Sequence, residues 1–522
     1  MRKFIFLLSV LVAEICHAQS WDLPLNDALF PDLSEKKYSI QSTESHPNIQ
    51  NWQMNEYRRV LGDSILLQRS GTERRLLSSP FNPSSQKTLH QIFFIPIIGA
   101  TGGLQSSGKT FWDLSGGGSL MLNLGRKFSA GIRYTYHRSA LPEYADSIST
   151  VSNSIPGYGA PNRFPNALEY RYGQGFLAWE PGRHAHLQLG YGKHFFGDGH
   201  RSLLLSDNSP NYPYARFTGK LWRFRYVSMM ANFKDIRVNP DDQTQWQNKF
   251  AAIHYLSWNI LKKLNISIFE AIVFQSRNGN RASGIEVNYL NPVIFFRPVE
   301  YANGSADNAL FGASIRWSIS SKLCLYGQVM LDEFLLKEVR ARSGWQDNKQ
   351  AGQLGFRLHQ PFGIKGLHLL GEVNLIRPYT YYHKNTLQNY GHMNQSLAHP
   401  GGANLREMIG RVRYFRNKWM IQSQITFMQT GLNDSSFYEY GQNIYGSYFT
   451  RPNVYGNKIL QGVKTDIWFA ELTGSRQLLE AGGMIAEFRI AARRLSTAGI
   501  SRNDILVSAG IRCALDRFYW DR

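Results

Sequence analysis

The chain has 522 residues and a formal net charge of +20, with 43% hydrophobic, 13% aromatic and only 18% charged residues. A mean hydropathy of −0.34, with no apolar run past the N-terminus near the ~20 residues of a spanning helix, excludes a helical membrane protein. The aromatic and aliphatic content excludes a disordered chain, and low charge with 46 Gly matches a transmembrane β-barrel by composition.

Arg2 and Lys3 precede an apolar stretch, residues 4–13, that is too short to span. Cys16, His17 and Ala18 form a small-x-small cleavage site, so residues 1–18 are expected to be a signal peptide cut after Ala18. The rival, a lipoprotein signal acylated at Cys16, wants small residues where Glu14 and Ile15 stand. Cleavage leaves Cys324 and Cys513 as the mature cysteines, too few for a disulfide scaffold. An exported chain does not meet nucleic acid, so its basic charge fits a lumen or rim facing acidic glycans. No CxxC, HExxH, Walker, Rossmann or GxSxG pattern occurs. The chain is therefore expected to be no enzyme and to hold no metal or cofactor.

Residues 19–88 are polar and irregular, with one short helix expected near residues 52–61, and are expected to form a periplasmic extension or plug. From His90 the pattern becomes segments of about ten residues with period-2 alternation. Phe128, Ala130, Ile132, Tyr134 and Tyr136 alternate with Ser129, Gly131, Arg133, Thr135 and His137. Leu187 and Leu189 alternate with His186 and Gln188, Leu325 and Val329 with Cys324 and Gln328, and Phe488 and Ile490 with Glu487 and Arg489. Short basic turns, such as those at 125–127, 181–183, 262–263 and 416–418, alternate with long connections at 139–166, 195–212, 276–307, 335–349, 379–404 and 431–463. Outer-membrane barrels have short periplasmic turns and long external loops. The expected fold is all-β: an antiparallel up-and-down transmembrane barrel of about eighteen strands over residues 89–522, its even count closing the sheet and removing its edges.

Three polar-aromatic clusters fall on the long connections. Residues 193–214 carry Asp198, His200, Arg201, Ser206, Asp207, Asn208 and Tyr212 between two turns. One reading is a self-packed loop with internally paired charges; the other is a set of donors, acceptors and flat rings for sugars. Calcium is disfavoured because no repeating oxygen-ligand loop is present. Residues 288–310 hold Arg297, Glu300 and Asp307 among Phe295, Phe296 and Tyr301, either a sugar platform or part of an interfacial girdle. Residues 377–404 hold His383, His399 and Asn404; isolated loop histidines are not expected to bind metal. Asp332 and Glu333 are adjacent, so on a strand they point to opposite faces and do not make a glycosidase pair.

In this order the clusters resemble the Wzi-type capsule-assembly outer-membrane barrels, and more closely their gliding-motility (RemB-like) branch in Bacteroidetes. The carrying residues are HFFGDGHRSLLLSDNSPNYP at 194–213, LNPVIFFRPVEY at 290–301, GSADNAL at 304–310, LYGQVMLDEF at 325–334, RPYTYYHKN at 377–385 and LAHPGGAN at 397–404. The resemblance spans about residues 90–515. It implies an outer-membrane protein that binds or organises cell-surface polysaccharide, for capsule assembly and retention or for gliding. It further implies Asp198, Arg201, Ser206, Asp207 and Asn208 as site positions, joined as polysaccharide contacts by Tyr212, Arg297, Glu300, Asp307, His399 and Asn404. Expected partners are surface polysaccharide or lipopolysaccharide, outer-membrane lipids, the barrel-assembly machinery and gliding-motility components, with no nucleic acid. Two departures stand out. The chain ends RFYWDR, so an assembly signal has to rest on Phe518, Tyr519 and Trp520, and Gly401 and Gly402 occupy a place where a bulkier residue is expected.

The rivals are a diffusion porin, its lumen lined by Arg133, His184, His186, Gln188 and Arg489, and an outer-membrane hydrolase. Alternation turns Cys324 to the lumen and Cys513 to lipid, which forbids a bridge between them. It also turns Ile132 to lipid and Arg133 to the lumen, so Ile132→Arg is expected to be costly and Arg133→Gln mild.

Overall fold

The computed structural model describes residues 25–26, 46–50, 90–125, 127–275, 277–278, 281–282, 307–434, 437–479 and 483–522. The signal peptide, the helix expected near residues 52–61, Arg297 and Glu300 lie outside them. Eighteen antiparallel strands form one barrel. They are β1 His90–Gln105, β2 Thr110–Leu124, β3 Phe128–Ala140, β4 Ala167–Gly182, β5 Ala185–Gly192 and β6 Tyr212–Leu221. Next come β7 Phe224–Asp235, β8 Gln247–Leu261, β9 Leu264–Gln275, β10 Asn308–Ser318, β11 Leu323–Leu331 and β12 Gln350–His359. The last are β13 Leu367–Ile376, β14 Leu405–Arg416, β15 Trp419–Leu432, β16 Val463–Leu479, β17 Met484–Thr497 and β18 Ile500–Cys513. Each strand pairs with the next, and residues 100–105 of β1 pair with 506–511 of β18 to close the sheet. The eighteen-stranded barrel expected from alternation and turn rhythm is thus the observed fold.

The long connections emerge at one end and the short turns at the other, as the rhythm implied. Along β16 the outward side chains run Lys464, Asp466, Trp468, Ala470, Leu472, Gly474, Arg476, and Trp468 and Leu472 are half exposed. The eight residue steps from Trp468 to Arg476 span about 27 Å of strand, or roughly 20 Å across a membrane at the usual tilt, close to the apolar band of an outer-membrane barrel. Trp468 stacks on Phe427 at 4.2 Å at the long-loop end. Trp179 on Phe128 (6.0 Å) and Trp258 on Phe224 (5.3 Å) mark the short-turn end. These rings form the two aromatic girdles. No helix among the described residues is long and apolar enough to cross a membrane.

The lumen has two unlike halves. On β7 to β9 the inward face is apolar in mid-strand, where Val227, Met229, Phe233, Ile253, Phe269 and Val273 are all buried, while Arg225, Asp235, Lys249, Asn259 and Asn265 turn inward near the strand ends. They receive Leu203, Leu204 and Leu205 from the β5–β6 loop, each with no exposed surface, in one hydrophobic core inside the barrel. Opposite, β3 and β16 to β18 present Arg133, Glu471, Arg489, Glu487 and Arg512, which pair across the wall (Arg489–Glu471, 2.5 Å; Arg512–Glu487, 2.6 Å). His46, Pro47, Asn48, Ile49 and Gln50 are also buried in the lumen. Ile49 bridges to Phe196, and Asn48 Nδ2 lies 2.8 Å from the Tyr255 hydroxyl.

Cys324 and Cys513 are in no disulfide. Cys324 is buried toward the lumen as expected, but Cys513 borders a lumenal cavity, because β18 ends there and the chain turns inward. Non-reducing mass spectrometry should therefore find two alkylatable thiols; a 324–513 bridge would contradict the register of β11 or β18.

Candidate functional site

The β5–β6 loop, residues 193–211, folds into the barrel rather than away from it. Its backbone is held by side chains of the opposite wall. Glu372 of β13 accepts from His200 N (2.7 Å), Arg201 N (3.0 Å) and the Tyr326 hydroxyl (2.9 Å). Gln328 of β11 accepts from Leu203 N at 2.8 Å, and Arg357 of β12 donates to the Asp198 carbonyl at 2.7 Å. Gly199 permits this approach, since a Cβ there would stand 2.4 Å from a Glu372 oxygen.

Charge is concentrated where this loop meets β14 and the C-terminal tail. Arg201 forks between Glu407 of β14 (2.8 Å) and Asp521 of the tail (2.9 Å), with Tyr519 under its guanidinium at 4.9 Å. His399 adds a contact to Glu407 at 2.7 Å. Burial opposes the charge on Arg201, but Asp521 and Glu407 outweigh it and raise its pKa. Burial likewise opposes ionisation of Asp521, yet Arg201 and His200 hold it below the ordinary carboxylate range. Burial dominates at His200 and lowers it to about 3, so its imidazole is neutral.

The other sequence candidates are placed in the same plug but not all in one cluster. Asp207 accepts from Arg517 (2.9 Å) and the Tyr519 hydroxyl (2.6 Å). Ser206 donates to the Ala398 carbonyl and Asn208 to the Ser396 carbonyl, which sews the β5–β6 loop to the β13–β14 loop. Asp198 faces Arg316 at 4.0 Å, and Tyr212 lies 3.3 Å from His194. Asp307 accepts from Gln388 at 2.7 Å. Asn404, in left-handed backbone at φ 52°, donates to the Gly431 carbonyl and accepts from Leu460 N. All of them are buried. Of the two readings of residues 193–214, the self-packed one describes the geometry of these side chains. Gly402 (φ 77°) lets the Gln442 carbonyl approach to where a Cβ would be 2.6 Å away, which is what the glycine pair at 401–402 does to that loop.

Among the described residues of the long-loop end, exposed rings are concentrated on the connection between β15 and β16. Phe437, Tyr438, Phe449 and Tyr455 are exposed there, Phe449 to 77%. The loop that carries them is tied on both flanks. Gly456 N and Asn457 N donate to the Ser343 and Gly344 carbonyls (both 2.9 Å), and Tyr379 N donates to the Gly441 carbonyl at 3.0 Å. A ledge of exposed rings on a backbone fixed by its neighbours suits stacking against flat-faced ligands. Sequence reasoning named this stretch only as a long connection. The signal was present, since residues 437–455 hold Phe437, Tyr438, Tyr440, Tyr445, Tyr448, Phe449 and Tyr455 among Asn, Gly and Ser. No group of His, Cys, Asp and Glu among the described residues is arranged to hold a metal ion.

No family model and no curated protein matches the chain. Among solved structures it is similar to Wzi of Escherichia coli, described as an outer membrane protein involved in group 1 capsule assembly and a carbohydrate-binding β-barrel. That likeness covers 94% of this chain and 99% of Wzi, with a TM-score of 0.56 and 11% identity. OccAB2 of Acinetobacter baumannii matches with a TM-score of 0.42 and 10% identity over 81% of this chain and 97% of its own. OprD of Pseudomonas aeruginosa matches with a TM-score of 0.42 and 7% identity over 82% and 96%. At such identity the likeness to Wzi is one of fold: the chain is an eighteen-stranded β-barrel of the outer-membrane type.

Proposed function

We propose that this protein is a non-enzymatic outer-membrane barrel that binds or organises cell-surface polysaccharide, in capsule retention or in gliding. The observation that carries the reading is the exposed aromatic ledge of residues 433–462, set on the long-loop end of a barrel filled by its own chain. Sugar rings stack on aromatic faces, and a ledge already held by hydrogen bonds loses little entropy on binding. The buried candidates Asp198, Arg201, Ser206, Asp207, Asn208, Tyr212, Asp307, His399 and Asn404 then serve binding indirectly, by fixing the plug on which the ledge rests. The likeness to a carbohydrate-binding barrel supports the same ligand class. Lipopolysaccharide and outer-membrane lipids would meet the apolar band, the barrel-assembly machinery would insert the chain, and motility components are partners under the gliding reading.

Changing Phe437, Tyr438, Phe449 and Tyr455 together to Ser tests it. Two or three lost stacks at about 0.5–1.5 kcal/mol each make a roughly 5- to 2,000-fold loss of affinity for the strain's purified surface polysaccharide. Heat-modifiable mobility on gels should stay that of the folded barrel. A folded quadruple variant that retains polysaccharide like the parent would refute the ledge as the site. A stable open current from the unmodified protein in a planar bilayer would favour the porin reading instead.

A further inference from the structure

The C-terminal nine residues do not continue the wall. β18 ends at Cys513 at the short-turn end, and the chain then turns back up through the lumen. Asp516 pairs with Arg133 of β3 at 2.6 Å. Phe518 stacks on Tyr158 at 4.4 Å. Asp521 accepts from Arg201 (2.9 Å) and from Gln424 of β15 (2.7 Å), and Arg522 reaches Gln395 (2.9 Å) and the Pro400 carbonyl in the β13–β14 loop. The tail therefore touches β3 and β15 of the wall, the β3–β4 connection and both plug loops. It also borders a lumenal cavity of about 360 Å³ on the charged side, between the Arg489–Glu471 and Arg512–Glu487 pairs.

The contact that matters most is at Asp207. Its carboxylate has no exposed surface, and both of its side-chain partners among the described residues, Arg517 and Tyr519, belong to the tail. A buried carboxylate is tolerable only while it is paired and hydrogen-bonded. Withdrawing the tail takes both side-chain hydrogen bonds from Asp207, leaving it only the charge of Lys193 nearby, and strips Arg201 of one of its two carboxylates. The β5–β6 loop then gains by moving its charge toward water. The tail's own volume is added to the neighbouring cavity at the same moment.

We propose that the C-terminal tail is an intramolecular latch, and that its release opens the charged half of the lumen as a pore for small hydrophilic solutes and ions. This goes beyond polysaccharide binding at the external ledge and does not depend on it. The latch is centred on one buried carboxylate whose partners come from the last six residues of the chain, and the pore would run past Arg133, Glu471 and Arg489 rather than through the leucine-filled half.

Planar-bilayer recording of the full chain tests it with potassium chloride as the probe. The unmodified protein is expected to be silent. Deletion of residues 516–522, and separately the full-length pair Arg517→Met with Tyr519→Phe, should each raise open probability at least tenfold. Adding Asp207→Asn to that pair should return the barrel to silence, because the amide leaves no orphaned charge. Heat-modifiable mobility reports folding for every variant. A folded Arg517→Met/Tyr519→Phe barrel as silent as the parent overturns the latch. So do openings that Asp207→Asn leaves unchanged, since they would come from general loosening. Failure of both tail variants to assemble also overturns it, by making the tail an assembly element.

Discussion

Replacing Arg201 by Met is expected to cost about 3–5 kcal/mol of stability, because it leaves two carboxylates in the lumen without their cation. The Arg201 side chain has no exposed surface, Glu407 has none, and Asp521 has 6%. Among the described residues neither acid has another Lys or Arg at comparable distance; a histidine stands beside each, His399 2.7 Å from Glu407 and His200 3.9 Å from Asp521. Arg201→Lys should recover only part of the loss, since an ammonium cannot present the fork that spans both carboxylates. Urea unfolding of the three proteins in one detergent, with the loss of heat-modifiable mobility as a second readout, measures this. An Arg201→Met barrel within about 0.5 kcal/mol of the parent would mean that the cluster is solvated. The pH dependence has a definite sign. Asp521 is held below its ordinary range, so its contribution is fully present above the unfolded carboxylate pKa of about 3.9. It is lost only as pH falls below that, and stability should be flat from about pH 5 to 8 on this account.

How far the sequence reveals such a structure depends on what each side chain faces. On β3, lipid meets one face and water-filled or polar lumen the other, so Ile132 and Tyr134 alternate with Arg133 and Thr135, and the strand is legible at once. On β7 the lumen side carries Val227, Met229 and Phe233 because the plug brings Leu203, Leu204 and Leu205 against it. The outward face mixes Phe224, Tyr226 and Met230 with Ser228, Asn232 and Lys234, so in mid-strand the lumen side is the more apolar one and the usual alternation is blurred. The rule that a barrel interior is polar fails locally because this interior contains a core. The turn rhythm survived, since it depends on chain reversal rather than on burial.

The plug loops left two readings open for a related reason. Asp198, Arg201, Asp207 and Asn208 are the residue types expected of a sugar site, and equally those needed to satisfy a loop buried inside a barrel. Composition does not separate the two; burial does. The tail misled for another reason. Phe518, Tyr519 and Trp520 sit where a terminal strand is expected to end in an aromatic signal, yet β18 stops at Cys513 and all three rings face the lumen, with Tyr519 buried on Asp207. The charges interleaved with them were the clue, because Asp516, Arg517, Asp521 and Arg522 each find an opposite charge or a polar group inside.

Ile132→Arg and its neighbour Arg133 set the outer face against the inner one. Ile132 is 59% exposed on the outside of β3, opposite Leu120 of β2 and Gly175 of β4. A guanidinium at that point has only hydrocarbon around it, and the expected cost is about 2–4 kcal/mol near the midplane. One residue on, Arg133 is accommodated because it points inward and reaches Asp516, Gln174 and Tyr172. That pairing revises the expectation from sequence that Arg133→Gln is mild. With Arg133 and Asp516 at 11% and 14% exposure, removing the cation leaves a largely buried carboxylate, worth about 1–3 kcal/mol. The two costs differ in what relieves them. Asp516→Asn should rescue Arg133→Gln to near the parent, because the orphaned charge is gone, whereas no change in the lumen should rescue Ile132→Arg. Assembly yield into liposomes and urea midpoints read both. Equal tolerance of Arg at 132 and of Val at 132 would mean that this face meets water. A failed rescue by Asp516→Asn would mean that Arg133 holds Gln174 and Tyr172 of β4 more than it holds the tail.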